Sequence, residues 1–137
     1  MKKISLIFIY SFILNAIWEN LHVFLYDNYM GGEITEFILI RASIFDAILI
    51  TIISLPFLYI SFFKKRPWCI LIIGIIFAII NEWYGLSTYR WSYNSHMPIL
   101  PFIETGLTPT IQLGLLGYLT LLLQSSRLFL PKDNTNS

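Results

Sequence analysis

The chain has 137 residues and a net charge of +1; hydrophobic residues make up 56% of it and charged residues 12%. An ordinary soluble domain has about 45–50% apolar and about 25% charged residues, and a small globule cannot bury this excess of apolar surface. The composition therefore excludes a soluble enzyme, a nucleic-acid-binding domain and a disordered chain. It indicates a polytopic membrane protein. A single cysteine, Cys69, excludes an internal disulfide and a CxxC motif.

Four apolar segments have the length of about 20 residues that a membrane-spanning helix needs. The first follows Met1-Lys2-Lys3 without a small-residue cleavage site, so we expect an uncleaved span rather than a signal peptide. We predict an all-α fold, with four transmembrane helices in an antiparallel bundle. The bundle forms a single domain over residues 1–130, and residues 131–137 form a disordered polar tail. The predicted spans cover residues 4–26, 36–63, 67–86 and 106–128.

The basic residues predict the orientation of these spans. Seven of the nine lie on one side of the predicted membrane: Lys2, Lys3, Lys64, Lys65, Arg66, Arg127 and Lys132. The positive-inside rule then places both termini in the cytoplasm and the connections 27–34 and 87–105 outside. We expect a multi-pass protein of the bacterial cytoplasmic membrane.

Polar residues concentrate in the halves of the spans that we place toward the outside. In the first span, Ser11, Asn15, Glu19, His22 and Tyr26 follow a spacing that forms one stripe on a helix. The other spans contribute further polar residues to the same level: Arg41, Ser43 and Asp46, then Asn81 and Glu82, then Thr108, Thr110 and Gln112. Ionisable groups at membrane depth usually face the bundle interior or a wet cavity. The pattern predicts a shared polar pocket.

The third span has small residues on the face that carries its carboxylate. Gly74, Ala78 and Glu82 recur every four residues. Small residues allow helices to approach closely in lipid, so this face is predicted to pack inward and to take Glu82 into the bundle.

The charges in this pocket do not balance. Three carboxylates, of Glu19, Asp46 and Glu82, face two arginines, Arg41 and Arg90. One interpretation is structural, because such pairs allow a bundle to tolerate buried charge. The other is functional, because a proton, a metal or a ligand must balance the remainder, and carboxyl groups that hold protons suit acid–base catalysis.

Glu19-x-x-His22 has the spacing that supplies two metal ligands in di-iron helix bundles. With Asp46 and Glu82 these residues would offer one imidazole and three carboxylates to a single divalent ion. Those bundles need two such motifs, and this chain contains one. We therefore predict no cofactor and keep a single divalent metal as a weaker alternative.

The stretch from residue 81 to residue 112 is the densest in aromatic and polar residues. It contains Trp83, Tyr84, Tyr89, Trp91 and Tyr93. One interpretation is an aromatic belt at the membrane interface. The other is a lid over the polar pocket, in which Arg90 points at the carboxylates or at an anionic group of a ligand. The candidate ligand-binding residues are Arg41, Asn81, Arg90, Trp91, Tyr93 and Gln112.

A pattern across most of the chain resembles a group of small bacterial four-helix membrane proteins to which no activity is assigned. It consists of Trp18-Glu19-x-x-His22, Ala42-Ser43-x-x-Asp46, Glu82, Arg90-Trp91-x-Tyr93, Met97-Pro98, Gly106-Leu107-x-Pro109 and Gln112. Glu82, Gly85, Tyr93 and Pro98 also resemble a segment of the membrane hydratases and cyclases of carotenoid synthesis, in which a carboxylate precedes a Gly-, aromatic- and Pro-rich outer segment. This chain is much shorter than those hydratases.

Two functional hypotheses follow from the residues. The first is an intramembrane enzyme that acts on a lipid or isoprenoid-type substrate, with Glu82 and Asp46 as the acid–base pair and with Glu19 orienting His22. The second is a non-enzymatic binding, assembly or immunity-type protein whose buried charges are structural. The expected partners are membrane lipid and a hydrophobic small molecule, with a second copy or another membrane subunit as further possibilities and no nucleic acid. A transporter is a weaker third hypothesis, because the other halves of the spans offer no polar path.

Overall fold

The computed structural model describes residues 2–126, of which 73% are helical. Four long helices are α1 (Lys2–His22), α2 (Glu36–Tyr59), α4 (Cys69–Ser87) and α5 (Leu107–Ser126), and α3 (Ser61–Lys64) is a single short turn. All four long helices are long and apolar enough to span a membrane, which indicates a multi-pass membrane protein. Arg127, Lys132 and the predicted tail 131–137 lie outside the described residues.

The second predicted span is divided in the structure. Helix α2 begins after Thr35, whose side-chain oxygen accepts a hydrogen bond from the Ile38 amide, and Glu36 in its first turn suits the positive end of the helix dipole. It ends at Tyr59 because Ile60 is extended, and α3 follows as a separate turn. Pro56 weakens the last turn of α2, since proline has no amide hydrogen to complete the helical ladder.

The long helices pack most extensively in two pairs, α1 with α2 and α4 with α5, and α1 also lies along α5. Apolar side chains fill the end of the bundle near the start of α1 and the end of α2, where Ile7, Ile53, Phe57, Ile70 and Leu121 form one cluster. The outward faces are also apolar: on α2, Ile40, Ile44, Ile48 and Ile52 are exposed at intervals of four residues. Such a continuous apolar face suits contact with lipid chains.

Helices α4 and α5 meet at glycine. A Cβ atom on Gly74 would overlap the backbone of Gly114, and a Cβ atom on Gly114 would lie 2.5 Å from the Leu71 carbonyl oxygen. These contacts confirm the inward face predicted for the third span, on which Gly74, Ala78 and Glu82 are all buried. The glycines therefore set the closest approach of the two helices.

We expect Gly114→Ala to lower the free energy of unfolding by about 1–3 kcal/mol, because the new methyl group meets backbone atoms that cannot move aside. Gly117→Ala on the same helix is the matched control. Its Cβ would lie 3.1 Å from Cδ1 of Ile70, the movable end of a flexible side chain. Thermal unfolding in detergent compares the two variants, and equal melting temperatures would show that the α4–α5 contact is not tight.

A two-stranded antiparallel sheet, which the sequence did not predict, joins the two long connections. Strand β1 (Tyr26–Tyr29) pairs with β2 (Trp91–Tyr93), and Tyr26 lies opposite Tyr93. The Met30 amide extends the pairing with a hydrogen bond to the Arg90 carbonyl oxygen at 2.6 Å. The sheet closes the end of the bundle at which α1 and α4 end and α2 and α5 begin. We call this the polar end.

Candidate functional site

The polar end contains a cavity of about 600 Å³ that is lined by all four long helices and both strands. Two of the three carboxyl-bearing side chains around it are buried, since Glu82 is 5% exposed and Asp46 9%, and Glu19 is half-buried. Apolar side chains form the rest of the wall, among them Leu39, Phe45 and Ala78. The structure thus brings together nine of the ten candidate site residues as cavity-lining residues: Glu19, His22, Arg41, Asp46, Asn81, Glu82, Arg90, Trp91 and Gln112.

Gln112 joins three helices in the floor of this site. Its side-chain amide nitrogen lies 2.9 Å from Asn15 Oδ1, 2.7 Å from Glu19 Oε1 and 2.9 Å from Asp46 Oδ2. An amide nitrogen carries two hydrogens, so three acceptors compete for two donors. Gln112 therefore brings the carboxyl groups of Glu19 on α1 and Asp46 on α2 to one donor.

His22 is placed by a partner on each side of its ring. Nε2 lies 3.2 Å from Glu19 Oε2, and Nδ1 lies 3.2 Å from Thr108 Oγ1. Asn15, Glu19 and His22 belong to the predicted stripe, and the structure confirms that this face of α1 points into the bundle. The Glu19 carboxylate therefore fixes the orientation of the imidazole, as the sequence predicts for this pair.

Glu82 is held by β2 rather than by an arginine. Its Oε2 accepts a hydrogen bond from the Trp91 indole at 3.1 Å and a short one from the Tyr93 hydroxyl. Burial and the Glu82 carboxylate raise the pKa of Tyr93, which keeps its hydroxyl protonated and able to donate. The Gly106 amide in turn donates to the Tyr93 oxygen at 3.1 Å. Tyr93, the tenth candidate, thus acts from outside the cavity lining by orienting Glu82.

The two interpretations of residues 81–112 apply to different residues. Trp91 and Tyr93 are half-buried and bond to Glu82, as a covering segment would. Trp83, Tyr84 and Tyr89 are exposed, as in an aromatic belt. Gly85 makes the covering arrangement possible, because a Cβ atom there would overlap the Trp91 ring.

The predicted arginine–carboxylate pairs do not form. Within residues 2–126, neither Arg41 nor Arg90 lies within 4.0 Å of a carboxylate, and the basic side chain that does is His22, beside Glu19. Arg41 instead donates to the Tyr29 hydroxyl at 2.7 Å, and Arg90 lies over the ring of Tyr84, 5.2 Å from its centroid. Both line the cavity. Burial of Glu82 is therefore offset by neutral donors, not by a cation.

The carboxylates and the histidine do not form a metal-binding group in residues 2–126, where no three of them converge on one point. Glu19 and His22 bond to each other, and Glu82 bonds to Trp91 and Tyr93. The arrangement offers paired carboxyl groups and an oriented imidazole on the walls of one cavity, which is a set suited to proton transfer.

Tyr26 was part of the predicted stripe, but the sequence did not single out four other cavity-lining residues of the connection between α1 and α2. These are Val23, Asn28, Tyr29 and Ile34. Tyr26 stands between His22 and Tyr93, its ring edge-on to each with centroids 5.3 Å away. Burial raises the pKa of Tyr26, and the nearby Glu82 carboxylate raises it further. A short Tyr-x-Asn-Tyr alternation was the available signal for β1, and it is too short to identify a strand.

Comparison with protein-family models, curated proteins and solved structures gives no match to this chain.

Proposed function

We propose that this chain is an intramembrane enzyme that performs acid–base chemistry on a lipid or isoprenoid-type substrate. The helices would form an antiparallel bundle in a bacterial cytoplasmic membrane, with both termini in the cytoplasm and the polar end in the outer leaflet. One observation supports this proposal above the others. Two buried carboxyl groups, of Asp46 and Glu82, and the half-buried one of Glu19 line a cavity, and none of them is paired with an arginine or lysine in residues 2–126.

The surroundings of the carboxyl groups suggest different roles for them. Glu82 accepts two hydrogen bonds at Oε2, and Oε1 accepts none from residues 2–126, which suits a carboxylate that takes up a proton. Asp46 lies beside Glu19 at the Gln112 amide, and we assign it the role of proton donor. Asp46 on α2 would then add a proton at one carbon of an unsaturated chain. Glu82 on α4 would remove a proton from a neighbouring carbon. This double-bond shift conserves all atoms and needs no further reactant.

The cavity walls suit a substrate of this class. Ile38, Phe45 and Leu113 provide apolar surface beside the carboxyl groups. Helices α2 and α4 touch each other much less than α1 and α2 or α4 and α5 do. Both helices line the cavity, so a gap between them would give an acyl or prenyl chain a lateral path from the bilayer to the acids.

The test is conversion of lipid by the purified protein. Wild-type protein is reconstituted into vesicles of a bacterial total lipid extract supplemented with a mixture of prenyl lipids, and the lipids are compared by mass spectrometry before and after incubation. We expect one substrate to be depleted while an isomer of the same mass accumulates, and we expect Asp46→Asn to abolish the change. Glu33→Gln, which alters an exposed acid away from the cavity, should convert lipid like wild type. Identical lipid profiles with and without wild-type protein would reject an enzyme acting on these lipids.

One observation favours the alternative of a non-enzymatic binding, assembly or immunity-type protein. The Gln112 side chain links α1, α2 and α5, so the polar cluster also holds the bundle together. This alternative predicts a stoichiometric protein partner in native mass spectra of the protein purified from its own membrane. It also predicts that Asp46→Asn and Glu82→Gln leave that complex intact.

A further inference from the structure

The cavity also has a charged opening, which the acid–base proposal does not use. Arg41 and Arg90 come from different elements, one from α2 and one from the start of the segment that leads into β2, and both line the same cavity. Each is exposed, and within residues 2–126 neither forms an ion pair. Exposed cations that share a cavity and lack an anion are suited to receive one from a ligand.

Each guanidinium group is positioned by a tyrosine that also lines the cavity. Arg41 donates one hydrogen bond to the Tyr29 hydroxyl at 2.7 Å, and its Cζ lies 5.4 Å from the centroid of the same ring. Arg90 Cζ lies over Tyr84, while the Arg90 amide is bonded to the Gly85 carbonyl at 2.9 Å. The rings hold the planar groups in place and leave most of their N–H donors available.

The two charges occupy different depths of the bundle. On α2, Arg41 precedes Asp46 by five residues. At a rise of about 1.5 Å per residue this places Arg41 about 7.5 Å nearer the polar end of the bundle. Arg90 lies beyond the last residue of α4, Ser87, whereas Glu82 lies inside that helix. Both cations thus lie nearer the polar end of the bundle than the carboxyl groups of Asp46 and Glu82.

We propose that the cavity binds an amphiphile with a phosphate-type anionic head, which Arg41 and Arg90 hold at the opening while its chain passes the carboxyl groups. Guanidinium groups bind phosphate oxygens in a bidentate manner, whereas they repel a cationic head. This inference rests on the proposed function, whose substrate class it narrows. The first carbon atoms beside the head reach the depth of Asp46 and Glu82, so the proton transfers act there.

Binding of defined probes to purified protein in a neutral detergent tests this inference without any turnover. The probes are farnesyl phosphate, farnesol and inorganic phosphate, and the signal is the fluorescence of tryptophan, since Trp91 lines the cavity. We expect farnesyl phosphate to bind at least about tenfold more tightly than farnesol, a difference of about 1.4 kcal/mol. We expect millimolar inorganic phosphate not to displace it, because free phosphate lacks the chain.

Substitution of the arginines separates specific recognition from general attraction. Arg41→Gln and Arg90→Gln should each lower the affinity for farnesyl phosphate about tenfold or more and leave the affinity for farnesol unchanged. Arg66→Gln is the matched control, because Arg66 is also exposed and lies over an aromatic ring, that of Phe62, but does not line the cavity. Unchanged melting temperatures confirm that the variants are folded. Arg41→Lys and Arg90→Lys keep the charge, so they should lose less affinity for farnesyl phosphate than the glutamine variants.

The outcomes for this inference and for the proposed function are distinct. Equal binding of farnesyl phosphate and farnesol, or an equal loss of affinity in Arg66→Gln, overturns recognition of an anionic head group. This conclusion holds whether or not the protein converts lipid. Displacement by inorganic phosphate alone overturns the amphiphile in favour of a free anion. Farnesyl phosphate could bind in an arginine-dependent manner while no lipid is converted. That result supports recognition of the head group and rejects the proposed enzymatic activity.

Discussion

Glu82→Gln is expected to lower the rate of lipid conversion by about 10²–10⁴-fold, the usual contribution of a positioned acid–base group. Glutamine has nearly the same shape, and its amide oxygen still accepts hydrogen bonds from Trp91 and Tyr93. It cannot take up a proton in the reaction. The measurement is the initial rate of conversion in vesicles at equal protein content, with the melting temperature as a check of folding.

A matched acid supports the interpretation of that result. Glu33→Gln removes an exposed carboxylate that does not line the cavity, and the rate should stay within about twofold of wild type because surface substitutions have small effects. Farnesyl phosphate should bind to Glu82→Gln with wild-type affinity, because the proposed head-group contacts are untouched. Full activity in Glu82→Gln would remove this residue from the proposed mechanism and assign its buried carboxylate a structural role.

Gln112→Leu is expected to cause the largest loss of stability among single changes at the polar end. The substitution removes the donor that lies 2.7–2.9 Å from the oxygens of Asn15, Glu19 and Asp46. A buried polar group left without a partner costs about 1–3 kcal/mol, so loss of this donor should lower the free energy of unfolding by about 3 kcal/mol or more. Leucine is as good a helix former as glutamine, so helix propensity does not contribute.

Denaturant unfolding in detergent measures this loss, and Gln124→Leu is its control. Gln124 lies on the same helix and is half-buried, and its side chain makes no hydrogen bond within residues 2–126. Its replacement should change the free energy of unfolding by less than about 0.5 kcal/mol. If the two variants unfold alike, the bundle is held by its apolar clusters and the Gln112 contacts serve the site alone.

Residues within one helix were the most predictable part of this protein. The four helices follow from runs of apolar residues, and the buried faces of α1 and α4 follow from the spacing of Asn15, Glu19 and His22 and of Gly74 and Ala78. A helix repeats every 3.6 residues whatever surrounds it, so the residues that share a face can be read from their spacing. The convergence of polar residues at one end was predicted in the same way, because they occupy the same level of each span.

Contacts between elements were not predictable from spacing. The sequence suggested arginines as partners for the carboxylates, but Glu82 bonds to Trp91 and Tyr93 of a strand whose partner lies far away in the chain. The position of Gln112 among Asn15, Glu19 and Asp46 depends on how α1, α2 and α5 are rotated against one another. Close packing at Gly74 and Gly114 fixes α4 against α5, and the pairing of β1 with β2 ties the end of α1 to the end of α4. Hydropathy and periodicity are properties of chain neighbours, whereas these pairings arise when distant surfaces meet, which is why they required the folded structure.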